Sequence, residues 1–446
     1  MIEFRQPSAA QAWRTDTLDP GGNTTLPMAF PYPDARPDGQ SSVAVQRISF
    51  GEARVQKLEA SSAPRYRTNL RFAAKLIKTN CMRLFGGAQR RPDLGREKVA
   101  AGTTVAFHPS GDTARQLMRV ESRLHAVCTT PDARLTDLAL HGIEAGGRRL
   151  RPALVICSAI AAGGRHAVSE RVIDAATAVE LLHLASLYHD DVLDSAPLRR
   201  GRPSANALWG NHAAVLSGDV LLAHAYRVAA DLGAAELRRF AHTLATLCSG
   251  QIAESAAQFD AGRDFAHYDA SIRGKTAALL ATSCWLGAST AGAPSPTAEA
   301  LACFGTELGV AFQIVDDVLD LYGHGLQIGK PAGSDLRQGV FTLPVLMALQ
   351  RDPELVDLLV EGIDEQRIAE VAERVRSVGA DQRAAALALD HLQIAFTHLG
   401  DASLLPEGVQ LLLSIGELVL GPLELLGYGG KPRSASQLDE RGARAA

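Results

Sequence analysis

The sequence predicts an all-α protein, a helix bundle preceded by a long segment of different character. Three observations lead there. From about Thr113 onward, Ala- and Leu-rich stretches carry apolar residues at the 3.6-residue period of a helix. Strict apolar-polar alternation, the mark of a half-buried strand, is nearly absent. Gly/Pro punctuation at 163–164, 200–203, 292–296 and 329–333 cuts the region into helices of roughly 12 to 25 residues. The 446 residues exceed one small domain, and 46% hydrophobic with 21% charged residues is normal for a soluble chain with a large core.

Taken in order, residues 1–110 form an extension rich in Pro, Gly, Asp and Ser without sustained periodicity. Such a segment buries too little apolar surface to offset its ordering entropy and is expected to be largely disordered. Within it, eight basic and no acidic residues fall between Ala60 and Pro92. There Leu70, Ala73, Ala74, Ile77, Cys81 and Leu84 make a helical stripe. That island reads first as a solvated basic linker. The alternative is a basic amphipathic helix near 67–85 in peripheral contact with anionic lipid. Residues 111–426 are the expected catalytic domain. Val172, Ala175, Ala176, Val179, Leu182 and Leu187 share one helix side, as do Phe304, Leu308, Ala311, Phe312 and Val315. The longest uncharged run, Thr276 to Ala298, carries Gly, Ser and two prolines and reads as a buried helix ending in a loop rather than a membrane span. Residues 427–446 are a polar, frayed tail.

Composition narrows the function. The formal net charge of -4 provides no global basic field for nucleic acid. Six scattered cysteines lack a C-x-x-C pair, which fits a reducing cytoplasm and argues against a structural zinc site. The N-terminus has no apolar core of a secretory signal.

The strongest internal signal is a repeated pentapeptide. Asp190-Asp191-Val192-Leu193-Asp194 recurs as Asp316-Asp317-Val318-Leu319-Asp320, each after an apolar helix. Positions i and i+4 share a helix face, so Asp190 sits over Asp194 and Asp316 over Asp320. Carboxylates crowded beside an apolar wall need counter-charge, and a hard divalent cation such as Mg²⁺ supplies it. A solvated acidic face explains one such cluster but not two identical ones. The second constellation is basic. Gly146-Gly147-Arg148-Arg149-Leu150-Arg151-Pro152 precedes a helix, and Arg199-Arg200-Gly201-Arg202-Pro203 follows the first acidic cluster. Guanidinium forks match phosphate oxygens, so the two together read as a diphosphate clamp. The third is a lysine pair. Between residues 113 and 430 only Lys275 and Lys330 occur, each after a glycine, in a chain with 7 Lys against 38 Arg. Asp269 stands where a P-loop needs glycine, so Gly274-Lys275-Thr276 is not a nucleotide loop. No G-x-S-x-G elbow or H-E-x-x-H helix is present. His183, two turns before Asp190, takes its weight only from that spacing.

These residues resemble the trans-isoprenyl diphosphate synthases, the polyprenyl synthetase family. The resemblance runs from about Arg115 to about Leu420 through GGRRLRP, LLHLASLYHDDVLD, RRGRPSANALWGNHAAVLSGDVLLA, GKTAAL, FQIVDDVLD and IGKPAGSDLRQGVFTLPVL. It implies an isoprenoid synthase-type helical bundle around a central cavity, a homodimer, and head-to-tail condensation of isopentenyl diphosphate onto an allylic diphosphate. It implies that Asp190, Asp191, Asp194, Asp316, Asp317 and Asp320 hold three Mg²⁺ ions on the allylic diphosphate, with Arg199, Lys275 and Lys330 also in contact. Arg148, Arg151, His183 and Arg200 would bind isopentenyl diphosphate, and Thr276 and Gln313 would line the reacting region. Leu182, Ala185 and Ser186, upstream of Asp190, would set the depth available to the growing tail. Ser186 and Ala185 are small where bulky aromatics would stop the chain early, which points to a long product, and a short farnesyl- or geranylgeranyl-type product is the alternative. Arg148 replaces the family's usual Lys, and Val340 stands where Lys is frequent. A terpene cyclase is disfavoured because a second aspartate cluster replaces its N-x-x-x-S-x-x-x-E motif. A non-catalytic subunit of a heteromeric synthase is disfavoured because both clusters are intact.

Overall fold

The computed structural model describes residues 111–322, 332–400 and 403–428. The expected disorder of residues 1–110, the basic helix near 67–85 and nearly all of the 427–446 tail lie outside the described residues, as does Lys330.

The first helices are α1 (Asp112–Cys128), α2 (Ala133–Glu144), α3 (Leu150–Gly163) and α4 (Glu170–Leu193). Asp132 caps α2 by accepting from the Arg134 amide at 2.9 Å. Gly164, at φ 83°, ends α3 where the Gly-Gly pair predicts a break. Helix α4 buries residues on opposite sides, Val172, Val179 and Leu182 as well as Ile173, Leu181 and Leu184. A helix apolar all round belongs at the centre of a bundle.

After α4 a two-residue hairpin pairs Leu198–Arg199 with Arg202–Pro203. Its turn residues Arg200 and Gly201 both have positive φ (53° and 76°), the backbone twist that suits a two-residue hairpin. The sequence marks this stretch only as a breaker. Helix α5 (Ala205–Leu232) kinks at Gly210 and packs along α4, and α6 (Ala234–Ala256) follows. Next come α7 (Phe265–Ile272), a π-turn at Arg273–Ala277, and α8 (Ala278–Thr290). Helix α9 (Ser295–Tyr322) is 28 residues, as is α5, longer than the punctuation suggests. It is long and apolar enough to cross a membrane, yet most of it is packed inside the bundle. The remaining helices are α10 (Ser334–Arg337), α11 (Leu343–Leu349), α12 (Glu365–Ser377), α13 (Ala380–Gly400) and α14 (Pro406–Leu425).

Two apolar clusters make the core. One gathers α9, α11, α13 and α14; the other gathers α1, α4 and α5. Helix α8 joins them, giving Leu280 and Cys284 to the first and Leu279 and Leu286 to the second. Gly305 of α9 permits this, because a Cβ there would lie 2.7 Å from the Leu280 carbonyl oxygen. Both acidic pentapeptides fall at the C-terminal ends of their helices, and these ends open onto one cleft of about 540 Å³.

Candidate active site

Asp190 and Asp194 from α4 face Asp316 and Asp317 from α9 across this cleft. Burial pushes the Asp190 carboxyl above its ordinary range; Lys275 opposes this and Asp194 adds to it. Burial pushes Asp317 up to about 7, with Asp316 and Glu254 contributing, although hydrogen bonds from Tyr268 and Gln313 oppose the rise. At both carboxyls the cost of desolvation outweighs the favourable groups beside them. Asp335, from α10, lines the same wall, and burial beside Asp320, Asp317 and Asp316 raises it strongly.

Two of the six predicted metal carboxylates are not on the cleft wall. Asp191 is turned about one hundred degrees from Asp190 by the helical repeat. It is 3% exposed and accepts from Arg199 Nε at 2.7 Å. Asp320 accepts from the backbone N–H groups of Ser334 and Asp335 at 3.2 and 3.1 Å, and so anchors the start of α10. Among the described residues no group of three or more His, Cys, Asp or Glu is placed to hold a metal ion by itself. An oxygen-only, open set suits Mg²⁺, which keeps water and substrate phosphate in its shell, and disfavours zinc. The residues fit Mg²⁺ held chiefly by Asp190, Asp194 and Asp316.

Lys275 reaches the cleft from the π-turn, a geometry common at functional sites. Its ammonium pairs with Glu254 of α6. Burial works against the charge, but Glu254, Asp190 and Asp194 outweigh it and hold the Lys275 pKa up. Close approach of the turn to α6 depends on Gly250, where a Cβ would collide with the Lys275 backbone nitrogen. Thr276 donates to Gln313 Oε1 at 2.6 Å, and Gln313 Nε2 donates to Asp317 at 2.9 Å. The two predicted dipoles are thus linked to the second acidic cluster.

On the other side, Arg151 and His183 line the cleft with Arg199. Burial lowers Arg151 to about 10 and leaves its Nε without a partner. Burial, then the field of Arg151, Arg200 and Arg199, pushes His183 well below its ordinary value, so it is neutral at pH 7. Arg200 is exposed and donates to the Gly146 carbonyl, joining the hairpin to the Gly-Gly loop. Arg148 is exposed and does not line the cleft.

Ser186 and Leu182 lie one and two turns before Asp190 and are on the cleft wall, with Leu222, Leu244 and Phe312. Ala185 is fully buried in the core and is not on that wall. Five residues before Asp190, it points away from the acidic face. Val340, at the family's frequent Lys position, lines the cleft as an apolar residue.

Glu254, Tyr268 and Asp335 are functional neighbours that sequence reading passes over. The Gln251-x-x-Glu254 spacing and the Asp335 of the SDLRQG run were visible, but a single carboxylate in a helix carries little signal. Only packing puts Tyr268 against Asp317.

A family model described as polyprenyl synthetase matches residues 132–378. The chain is 40% identical over 288 residues to heptaprenyl diphosphate synthase component 2 of Geobacillus stearothermophilus, covering 64% of this chain and 89% of that protein. It is 40% identical over 232 residues to nonaprenyl diphosphate synthase of Mycobacterium tuberculosis, covering 52% and 69%. Among solved structures it resembles a polyprenyl synthase from Caulobacter crescentus complexed with calcium and isoprenyl diphosphate, at TM-score 0.65 and 30% identity, covering 70% of this chain and 99% of that one.

Proposed function

This chain belongs to the polyprenyl synthetase family, and we propose that it condenses isopentenyl diphosphate head-to-tail onto an allylic diphosphate, forming an all-trans polyprenyl diphosphate and releasing diphosphate. One observation carries the reading: carboxylates of two identical acidic clusters on different helices face each other over a cleft that also holds Lys275 and Arg151, whose buried Nε has no partner.

Each group has a role that its surroundings support. Lys275 and Arg199 neutralise charge on the departing diphosphate. Mg²⁺, three ions to a site, held through Asp190, Asp194 and Asp316, would add Lewis-acid stabilisation of the same leaving group. Thr276 and Gln313 present oriented dipoles to the allylic carbon, next to the apolar wall of Leu182 and Phe312. Arg151 and His183, on the cleft wall, hold isopentenyl diphosphate together with Arg200 of the neighbouring hairpin, which brings its double bond into reach, whereas Arg148 points elsewhere. Neutral His183 donates one hydrogen bond rather than a charge. The departing diphosphate takes the proton lost at the end, because the mechanism requires no protein base.

Relatives named for heptaprenyl and nonaprenyl products support a long-chain product, as does the small Ser186 on the wall in place of a bulky aromatic. We propose a homodimer, supported by apolar residues exposed on α5, among them Leu208 at 48% and Leu216 at 62%. A cytoplasmic location with peripheral membrane contact through the basic N-terminal segment is part of the same reading. The relative named as a component of a synthase makes activity of this chain alone the first measurement. Incubation of the purified chain with Mg²⁺, isopentenyl diphosphate and each of three allylic primers, followed by sizing of the products, tests the proposal. Products longer than the primer are expected. Their absence with every primer would overturn it.

A further inference from the structure

Between Arg148 and Arg151 lies a third arginine with a different environment. Arg149 is 8% exposed and holds a left-handed backbone (φ 49°, ψ 38°), which costs a non-glycine residue about 1 kcal/mol or more. Its guanidinium donates to Glu180 at 2.8 Å, to the Ile143 carbonyl at 2.9 Å and to the Gly146 carbonyl at 3.3 Å, and it pairs with Glu121. Glu180 is 2% exposed and lies one turn before His183 on α4. Its charge also acts on Arg151 and Arg200, opposing the fall in pKa that burial causes in both. Glu180 is therefore a carboxylate within range of both arginines we assign to isopentenyl diphosphate.

We infer that Arg149 is a positioning residue for diphosphate recognition: by holding the buried Glu180 carboxylate, it keeps Glu180 from pairing with Arg151 and leaves the Arg151 guanidinium directed into the cleft. The observations agree at both ends. Arg149 bonds Glu180 directly, whereas Arg151 faces the cleft with Nε unpartnered. The same fork pins the Ile143 carbonyl in the last turn of α2 and the Gly146 carbonyl in the loop before α3, and so fixes where Arg151 starts. The strained backbone at Arg149 is retained because this fork over-determines it.

This inference rests on the proposed reaction, so the wild-type protein is assayed first with isopentenyl diphosphate and an allylic primer. No turnover there overturns the reaction and the inference together. With turnover established, Arg149→Met is expected to raise KM for isopentenyl diphosphate about tenfold or more, as loss of one charge-assisted phosphate contact does, with less than about a twofold change in KM for the allylic diphosphate. Arg149→Met combined with Glu180→Gln removes the freed carboxylate and is expected to restore that KM to within about threefold of wild type. A purely structural role predicts that both KM values move together and that the double variant is no better than the single one. Either result, or an unchanged KM for isopentenyl diphosphate in Arg149→Met, overturns the inference. If Arg149→Met fails to fold, Arg149→Lys carries the test. Its single ammonium keeps a weaker hold on Glu180, so an intermediate rise of about threefold, reversed by Glu180→Gln, is expected, and no rise overturns the inference.

Discussion

Asp190 and Asp316 sit on opposite walls of the cleft, and the proposed reaction makes their oxygens ligands of a divalent cation. Replacing either with Ala is expected to cut kcat by about 10³-fold or more while the circular dichroism spectrum stays helical. Turnover within tenfold of wild type in a folded variant would remove the metal assignment. Asp191 and Asp320 should lose less turnover on the same change, because neither lines the cleft. At the floor of the cleft, Ser186→Phe is expected to shorten the longest product, read by chromatographic sizing; an unchanged distribution would place the stop elsewhere on the wall. Sequence reading puts Ala185 in the same role, but its methyl lies in the core. The motif supplies a count of residues from Asp190, whereas the helical rotation decides which of them meets the product.

At the scale of elements, the π-turn and α6 act as a unit. Gly250→Ala should force the turn outward and separate Lys275 from the acidic clusters. The expected result is a fall of about tenfold in kcat together with a lower melting temperature. A variant with both values unchanged would show that the turn tolerates displacement. A second link ties α9 to α13 and the same turn. Glu307 accepts from Arg273 at 3.2 Å and pairs with His391 at 2.7 Å. Burial alone would raise its pKa, but the His391 bond and the Arg273 charge win, and Glu307 lies below its ordinary 4.5. A lowered carboxylate pKa stabilises the fold above the ordinary value, and that stability disappears as pH falls through the folded value. Denaturant titrations should therefore show Glu307→Gln less stable than wild type at pH 7, with the gap closing as pH falls below the ordinary 4.5 and through the lowered folded value. A gap that persists there would mean the effect is packing rather than charge.

Across the whole molecule, the two halves of the cleft belong to two apolar clusters joined through α8, so a ligand that bridges them should stabilise the fold as one unit. Mg²⁺ with inorganic diphosphate at one hundred times Kd is expected to add about 2.7 kcal/mol to unfolding, and EDTA should abolish the gain. The same shift with diphosphate and EDTA would show binding without metal. Much of this organisation was legible beforehand. The 3.6-residue period predicts an all-α bundle because helical burial leaves its repeat in the chain, and the twin pentapeptides identify both acidic helices because their spacing is local. The clamp residues were legible as a set, but their orientations were not, because a phosphate-facing arginine and a structural one look alike in GGRRLRP.

Local chemistry by itself determined the helical class, the acidic repeat, the Gly-Lys pairs and the family resemblance, since each is written within a few residues of sequence. Tertiary structure decided which carboxylates face the cleft, that Lys275 meets Glu254, that Ala185 is hidden while Ser186 is not, and that Arg149 holds Glu180. Those outcomes depend on helix rotation and on the contact of segments far apart in the chain, where the desolvation of one group is settled by what another brings to it.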